Sequence, residues 1–206
     1  GILSAETGAG EGCIIVTEPK RILVFQTAFL GDIILTLPMV QLLHERFPQA
    51  VIDMVTTPAG AEFLTNHPSI HAIIKYDKRK TQKGLRGVLA MAIFLNRRNY
   101  DLAVVPHRSF RTAMIMALSR IPHRIGFSNT AGRMFYHATG TYDKTQHEVE
   151  RNLALLTPLG ITTETKILPS LYPSVHDIQY VNKFLFEREI LEENRSYAVG
   201  ELVRLL

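Results

Sequence analysis

A single carboxylate, Asp32, follows a glycine in the segment TAFLGD, directly after an apolar stretch with the composition of a buried strand. An ionised carboxylate at such a strand-to-helix turn can do one of two things. It can stabilise the N-terminus of the following helix by about 0.3–1 kcal/mol. It can also act as a general base that takes a proton from a bound hydroxyl group. The residue types leave both interpretations open.

The same segment does not favour a phosphate-binding turn. The dinucleotide fingerprint needs several glycines so that the backbone can approach a pyrophosphate, whereas TAFLGD offers one glycine and a charge that repels phosphate. The sequence also contains no Walker motif and no Gly-x-Ser-x-Gly elbow. Nucleoside triphosphate hydrolysis and serine hydrolase chemistry therefore have little support.

The histidines do not form a recognisable metal-binding pattern. In HEVER, residues 147–151, Arg151 stands where a zincin helix has its second histidine. His107, His123 and His137 lie in separate segments without the spacing of metal ligands. Cys13 is the only cysteine, which excludes a disulfide or a thiolate cluster within the chain. We therefore expect neither a metal ion nor a cofactor.

Positive charge is concentrated in two stretches of the sequence. The formal net charge is only +4, yet residues 75–98 hold eight Lys or Arg and one acid, and residues 107–151 hold seven and three. Such clusters indicate an anionic partner, although a solvated helix face is an equal alternative for the first. Few aromatic residues accompany residues 75–98, so we expect no nucleic acid as a partner.

Apolar runs of strand length alternate with segments of helical periodicity, which predicts a Rossmann-like, doubly wound α/β domain with a parallel sheet. The predicted strands are 22–26, 51–56, 72–76, 102–106 and 124–127, with a further one beginning at 197–199. The predicted helices are 32–47, 59–66, 85–97, 109–119, 148–159 and 177–191. Pro38 should kink the first helix or mark its true start.

Ligands of such sheets bind outside the carboxyl ends of the strands. This rule directs attention to residues 27–32, 56–60 and 107–111. No run approaches the roughly 18 apolar residues of a membrane-spanning helix, and the first residues lack the pattern of a signal peptide. We therefore expect a cytoplasmic protein.

Three motifs, in this order, resemble the bacterial ADP-heptose:lipopolysaccharide heptosyltransferases, glycosyltransferase family 9. The resemblance extends over about residues 21–161. The motifs are FLGDIILTLPMVQLLHERFP, YDLAVVPHRSFRTAMIMALSRIPHRIGF and HEVERNLALLTPLGI.

The resemblance implies a glycosyltransferase of the GT-B type, with an N-terminal acceptor-binding domain and a C-terminal domain for the nucleotide sugar. It gives Asp32 the role of general base, which takes the proton of an acceptor hydroxyl as that oxygen attacks the anomeric carbon of ADP-heptose. Transfer would then invert the configuration. No metal is needed if positive groups and backbone donors stabilise the departing diphosphate.

The resemblance further implies an acceptor in the inner core of lipopolysaccharide, which carries carboxylates and phosphates on a lipid A anchor. Peripheral contact with the inner membrane surface would follow, with Lys and Arg meeting acidic headgroups. Arginine suits such an acceptor because its guanidinium binds planar oxyanions in a fork and stays charged. The candidate acceptor-binding residues are Arg108, Arg111, Arg124, Arg151 and His107.

The resemblance also divides the chain into parts. We expect a flexible N-terminal segment over 1–19, the acceptor-binding domain over 20–175, and over 176–206 a helix followed by the start of a missing or truncated donor domain. The isolated chain should then be inactive, and apolar surface that normally faces the donor domain could drive self-association. The alternative is a non-catalytic α/β module that binds an anionic, phosphorylated ligand.

Overall fold

A computed structural model describes residues 16, 18–78, 82–163 and 165–187 of the protein. Nearly all of the predicted flexible segment 1–19 lies outside the described residues. The strand predicted at 197–199, the end of the helix predicted at 177–191 and most of segment 176–206 also lie outside them. The three-part division of the chain stays a prediction.

Six parallel strands form one sheet in the order β3-β2-β1-β4-β5-β6. Val24 of β1 lies opposite Met54 of β2 on one side and Val104 of β4 on the other. The strand order reverses between β1 and β4, as in doubly wound sheets, which confirms the predicted fold class. The strands are β1 (Arg21–Phe25), β2 (Val51–Thr56), β3 (Ala72–Lys75), β4 (Leu102–Val105), β5 (His123–Phe127) and β6 (Ala138–Gly140).

Helices cover both faces of the sheet, and each face has its own apolar core. Val24 faces the core beneath α2 and α6, whereas Leu23 faces the core beneath α4 and α5. The helices are α1 (Leu30–Ile34), α2 (Leu37–Arg46), α3 (Pro58–Leu64), α4 (Gly84–Asn96), α5 (Phe110–Leu118), α6 (Glu148–Ala154) and α7 (Val175–Glu187), with 3-10 turns at Arg133–Phe135 and Thr157–Leu159.

The helix predicted over 32–47 is two helices, α1 and α2. Pro38 lies in the first turn of α2, where its missing N–H is not needed, so it marks the start of a helix. The backbone N–H of Met39, which would bond to the carbonyl oxygen of Leu35 in a continuous α-helix, donates to the carbonyl oxygen of Thr36 at 3.1 Å, so the carbonyl oxygen of Leu35 is available to another donor. Asn152 Nδ2, on fully buried Asn152 of α6, donates a hydrogen bond to it at 3.0 Å.

Strand β6 is the element that sequence patterning missed. It has three residues, which is below the length at which alternation is detectable. It pairs with β5, with Ala138 opposite Ile125. Gly126 of β5 leaves room for the ring of Tyr136 beside this edge, because a Cβ at position 126 would lie 2.7 Å from that ring.

None of the helices in the described part of the chain has the length and hydrophobicity needed to cross a bilayer.

Candidate functional site

The loops after β1, β3 and β4 meet at the carboxyl edge of the sheet. Lys78 Nζ, after β3, donates to the carbonyl oxygen of Thr27 at 2.9 Å. His107 Nδ1, after β4, lies 2.8 Å from Thr112 Oγ1 and 3.4 Å from Thr27 Oγ1. Both threonines are buried. These contacts hold the three loops together as one rim.

His107 is the central residue of this rim. Its burial, together with the positive charges of Lys78 and Arg108, lowers its pKa from 6.5 to about 4. The imidazole is therefore neutral at neutral pH, and Nδ1 can accept the hydroxyl hydrogen of Thr112. In this geometry His107 positions the β1 and β4 loops. Its predicted contact with an acceptor stays a prediction.

The depressed pKa of His107 predicts a loss of stability in acid. Between pH 6.5 and about 4 the unfolded chain takes up a proton at this position and the folded chain does not. The free energy of unfolding should therefore fall as the pH drops, by about 1–2 kcal/mol at pH 5 from this group. We expect His107→Asn, whose side-chain oxygen can replace Nδ1, to lose less stability than wild type between pH 7 and pH 5 in urea titrations. Equal losses in the two proteins would contradict this assignment.

Asp32 lies in the first turn of α1, at the end of the β1 loop. Its Oδ2 accepts a hydrogen bond from the backbone N–H of Phe29 at 3.1 Å, which is the helix-terminus role. The side chain is partly exposed, and a Cβ at the neighbouring Gly31 would meet no atom within 4 Å. Among the described residues, no hydrogen-bond partner is found for Asp32 Oδ1. The geometry thus shows the role at the helix N-terminus and leaves Oδ1 available for the role of general base.

Two of the predicted arginines, Arg108 and Arg151, converge on one ring, that of Tyr142. The Cζ of Arg108 lies 3.8 Å from the ring centroid, and that of Arg151 lies 4.7 Å from it. Arg151 Nη1 also donates to the Tyr142 hydroxyl at 2.5 Å. Tyr142 follows β6 and packs edge-on against Phe127, the last residue of β5, with 5.0 Å between centroids. The order β4-β5-β6 therefore brings Arg108 and Tyr142 to the same edge.

The two arginines differ in how far their charge is already compensated. Arg151 Nη2 lies 2.6 Å from Glu148 Oε2, one turn away on α6. Arg108 is exposed, and within the described ranges its guanidinium makes no hydrogen bond or ion pair. Arg108 is therefore the arginine of this pair that is available to an anion, and its guanidinium lies over the ring of Tyr142.

Arg111 and Arg124 are engaged by the fold. Arg111 Nε donates to the hydroxyl of Tyr76 at 2.8 Å, and its Nη2 donates to the carbonyl oxygen of Gln82. Arg124 lies near the amino end of β5, the opposite end of the sheet, and its Nε donates to the carbonyl oxygen of Phe135 at 2.8 Å. Burial lowers the pKa of Arg124. Acceptor binding by these two residues stays a prediction that this geometry does not favour.

A buried carboxylate that sequence analysis missed, Asp53, lies within β2. Its side chain is fully buried. It accepts a hydrogen bond from the Tyr100 hydroxyl at 2.6 Å, and His71 Nδ1 lies 3.0 Å away. Arg21 Nη2 and Arg98 Nη1 lie 3.1 and 3.4 Å from it. The sequence feature that could have identified Asp53 is the presence of an acidic residue inside the apolar run VIDMVT. Its position in the amino-terminal half of β2 gives it a structural role, away from the carboxyl edge.

The described residues bring together no group of three His, Cys, Asp or Glu side chains that could hold a metal ion. Transfer without a metal or a cofactor stays a prediction.

Comparison with known proteins supports the resemblance that the motifs carry. The family model of glycosyltransferase family 9 (heptosyltransferase) matches residues 88–182. Lipopolysaccharide heptosyltransferase 3 of Escherichia coli strain K12 is 30% identical over 142 residues, 64% of this chain and 40% of that protein. Lipopolysaccharide heptosyltransferase 2 of Salmonella typhimurium is 26% identical over 151 residues, 72% of this chain and 43% of that protein.

Solved structures share the fold. The glycosyltransferase family 9 protein of Veillonella parvula superposes with a TM-score of 0.77 at 22% identity, over 86% of this chain and 52% of that one. The E. coli ADP-heptose lipopolysaccharide heptosyltransferase II superposes with a TM-score of 0.65 at 24% identity, over 80% and 50%. The chain thus spans about two fifths to one half of the length of these relatives. Over that length the chain is similar in sequence and in fold to the family 9 glycosyltransferases, the heptosyltransferases.

Proposed function

We propose that this chain binds the acceptor in a heptosyltransferase that moves heptose from ADP-heptose to the inner core of lipopolysaccharide. The observation that supports the proposal is the placement of Asp32 and Arg108 in neighbouring loops at one edge of the sheet. Their loops follow the neighbouring strands β1 and β4 and are joined through Thr27 and His107. An open carboxylate oxygen and an exposed guanidinium therefore border the same rim.

In the proposed mechanism Asp32 is the general base. The acceptor hydroxyl gives its proton to the carboxylate while its oxygen forms a bond to the anomeric carbon of the heptose. The bond between that carbon and the diphosphate oxygen breaks on the opposite face, ADP leaves, and the configuration is inverted. The hydrogen bond from Phe29 N–H to Oδ2 fixes the carboxylate, which leaves Oδ1 to face the acceptor.

Recognition of the acceptor is assigned to the guanidinium groups around Tyr142. A carboxylate or phosphate on the acceptor would pair with Arg108, whose planar donors suit a two-point contact. The ring of Tyr142 limits the motion of Arg108, so less side-chain entropy is lost on binding. Arg151 also lies against the ring of Tyr142 and donates a hydrogen bond to its hydroxyl, which holds the ring in place.

The donor, the location and the remaining partners complete the proposal. Donor contacts would come from a second domain, as the resemblance implies, with no metal or other cofactor. The enzyme would act in the cytoplasm, peripheral to the inner membrane, where a lipid-anchored acceptor presents its sugars. Self-association through the surface that faces the donor domain remains part of the prediction.

Acceptor binding tests the role of Arg108. We expect Arg108→Ala to weaken the binding of a phosphorylated inner-core oligosaccharide by about tenfold or more in calorimetric titrations, because a hydrogen bond between charged groups contributes about 1.5–3 kcal/mol. Arg46→Ala is the matched control, since Arg46 is also exposed and stacks on a ring, that of Phe47, at 5.4 Å. Unchanged affinity in Arg108→Ala, or an equal loss in both variants, would remove Arg108 from the acceptor site.

A further inference from the structure

One outer surface of the domain exposes large apolar side chains at high density. It is formed by α4, α5 and the 3-10 turn Arg133–Phe135, and we call it the α4–α5 face. Leu85 and Met134 are 74% and 84% exposed, whereas a typical apolar side chain of this size is mostly buried. The exposed apolar residues of the three elements are Leu85, Leu89, Ile93, Phe94, Phe110, Leu118 and Met134.

These side chains belong to one continuous surface. Helix α4 packs against α5, and α5 packs against the 3-10 turn. Phe110 lies beside Phe135 of the turn, with 6.3 Å between ring centroids. The inner side of α4 is buried in the core under the sheet. The residues at positions 85, 89 and 93 follow the i, i+4 spacing of a single stripe along the helix.

The charge around this face is mainly positive, although Asp77 lies near the start of α4, where its backbone is hydrogen-bonded to Gln82. From residue 82 to residue 142 the sequence has nine Lys or Arg and a single acid, Asp101. The carboxylate of Asp101 is occupied elsewhere, by the backbone N–H groups of Lys20 and Arg21 at 2.7 and 2.9 Å. None of the three elements contains an acid, and the exposed cations on them or at the two ends of α4 are Lys83, Arg86, Arg97 and Arg133.

We propose that the α4–α5 face docks onto an anionic lipid bilayer. The apolar side chains would enter the boundary between headgroups and acyl chains, and the cations would pair with lipid phosphates. Apolar groups mixed with Lys and Arg on one helical surface are typical of interfacial membrane binding, and each cation near an anionic surface adds to the attraction. A second copy of the chain fits less well, since its identical face would oppose like charges.

This docking mode also sets the position of the candidate site. Both α4 and α5 begin at the carboxyl edge of the sheet, since each follows a loop at that edge. A protein lying on its α4–α5 face would therefore hold Arg108 close to the bilayer. This docking face rests on the proposed function in that it gives the membrane contact proposed there a location, but lipid binding requires neither donor nor acceptor and can be tested apart from transfer.

Vesicle binding by the full chain tests the proposal. We expect the protein to cosediment with vesicles of equal parts phosphatidylglycerol and phosphatidylcholine, and only weakly with pure phosphatidylcholine. The variant Leu85→Gln with Leu89→Gln should lower the partition coefficient by about tenfold, because each leucine loses part of its transfer free energy. Arg86→Gln with Arg97→Gln should lower it by a similar factor, and the binding that remains should depend less on salt.

Two apolar residues outside the α4–α5 face serve as the control. Leu168 and Ile178 are 66% and 48% exposed, close to the 74% and 52% of Leu85 and Leu89, and their double change to Gln should leave vesicle binding unchanged. Failure of wild type to bind the anionic vesicles would overturn the proposal, as would full binding by the Leu85/Leu89 variant or equal losses in the control. A wild-type dimer in sedimentation velocity that this variant dissociates, with vesicle binding retained, would identify the face as a self-contact instead.

Discussion

Asp32→Asn is expected to lower the turnover number by about 10²–10⁴-fold while leaving acceptor affinity unchanged. The amide keeps the shape of the side chain and can still accept the hydrogen bond from Phe29 N–H through its oxygen, but it cannot take up the acceptor proton. The measurement is heptose transfer from ADP-heptose to a heptose-deficient acceptor. It should be made in this chain joined to the donor-binding half of a relative and compared with acceptor titrations of the same protein.

A second aspartate provides the matched control for this variant. Asp177 Oδ2 accepts a hydrogen bond from the backbone N–H of Ser174 at 2.8 Å, three residues earlier, as Asp32 does from Phe29. Asp177→Asn should therefore reproduce the effect of an Asp-to-Asn change at a helix N-terminus, without removing the proposed general base. Normal turnover in Asp32→Asn would leave this residue with its helix-terminus role alone. Acceptor binding without turnover in the wild-type fusion would favour the non-catalytic binding module.

Replacement of Asp53 is expected to cause the largest loss of stability. In Asp53→Ala the hydroxyl of Tyr100, which is itself buried, loses its acceptor. Arg21 and Arg98 lose their common counter-charge, although both reach solvent and can be hydrated in part. Breaking a buried charge network of this kind costs about 3 kcal/mol. Urea unfolding should therefore show a lower midpoint with an unchanged slope.

The contrast with a partly exposed carboxylate isolates the effect of burial. Within the described ranges Asp143 bonds locally, to the backbone and hydroxyl of Thr145 in its own turn. Asp143→Ala should shift the midpoint much less than Asp53→Ala. Equal shifts in the two variants, or none in Asp53→Ala, would show that the network around β2 contributes no net stability.

Much of the fold could be predicted from the sequence because buried parallel strands are continuous apolar runs. Strand β2 has the predicted bounds, β3, β4 and β5 differ from theirs by one residue at one end, and β1 is shifted by one residue. A single proline, Pro38, predicted the break between α1 and α2, but the sequence did not distinguish a kink within one helix from the start of a second helix. The structure adds a tertiary contact at the break, the hydrogen bond from Asn152 to Leu35, which local patterning cannot show.

The location of the candidate site in the fold could be predicted from the sequence, but the contacts of its side chains could not. The rule on carboxyl ends predicted that the loops holding Asp32 and His107 lie at one edge of the sheet, and the structure joins these loops in one rim. Residue type alone could not separate Arg108, which is exposed, from Arg111, whose guanidinium bonds Tyr76. Tyr142 was missed because its position beside Arg108 requires β6, an edge strand too short to be seen in the sequence.

A structure of the protein with a phosphorylated inner-core acceptor bound is the most direct test of the central claim, that the carboxyl edge of this sheet holds the acceptor for deprotonation by Asp32. The account predicts an acceptor hydroxyl about 2.6–3.2 Å from the Asp32 carboxylate and an acidic group of the acceptor paired with Arg108. An acceptor bound at the amino edge, or one whose hydroxyl groups all lie beyond hydrogen-bond reach of Asp32, would contradict it.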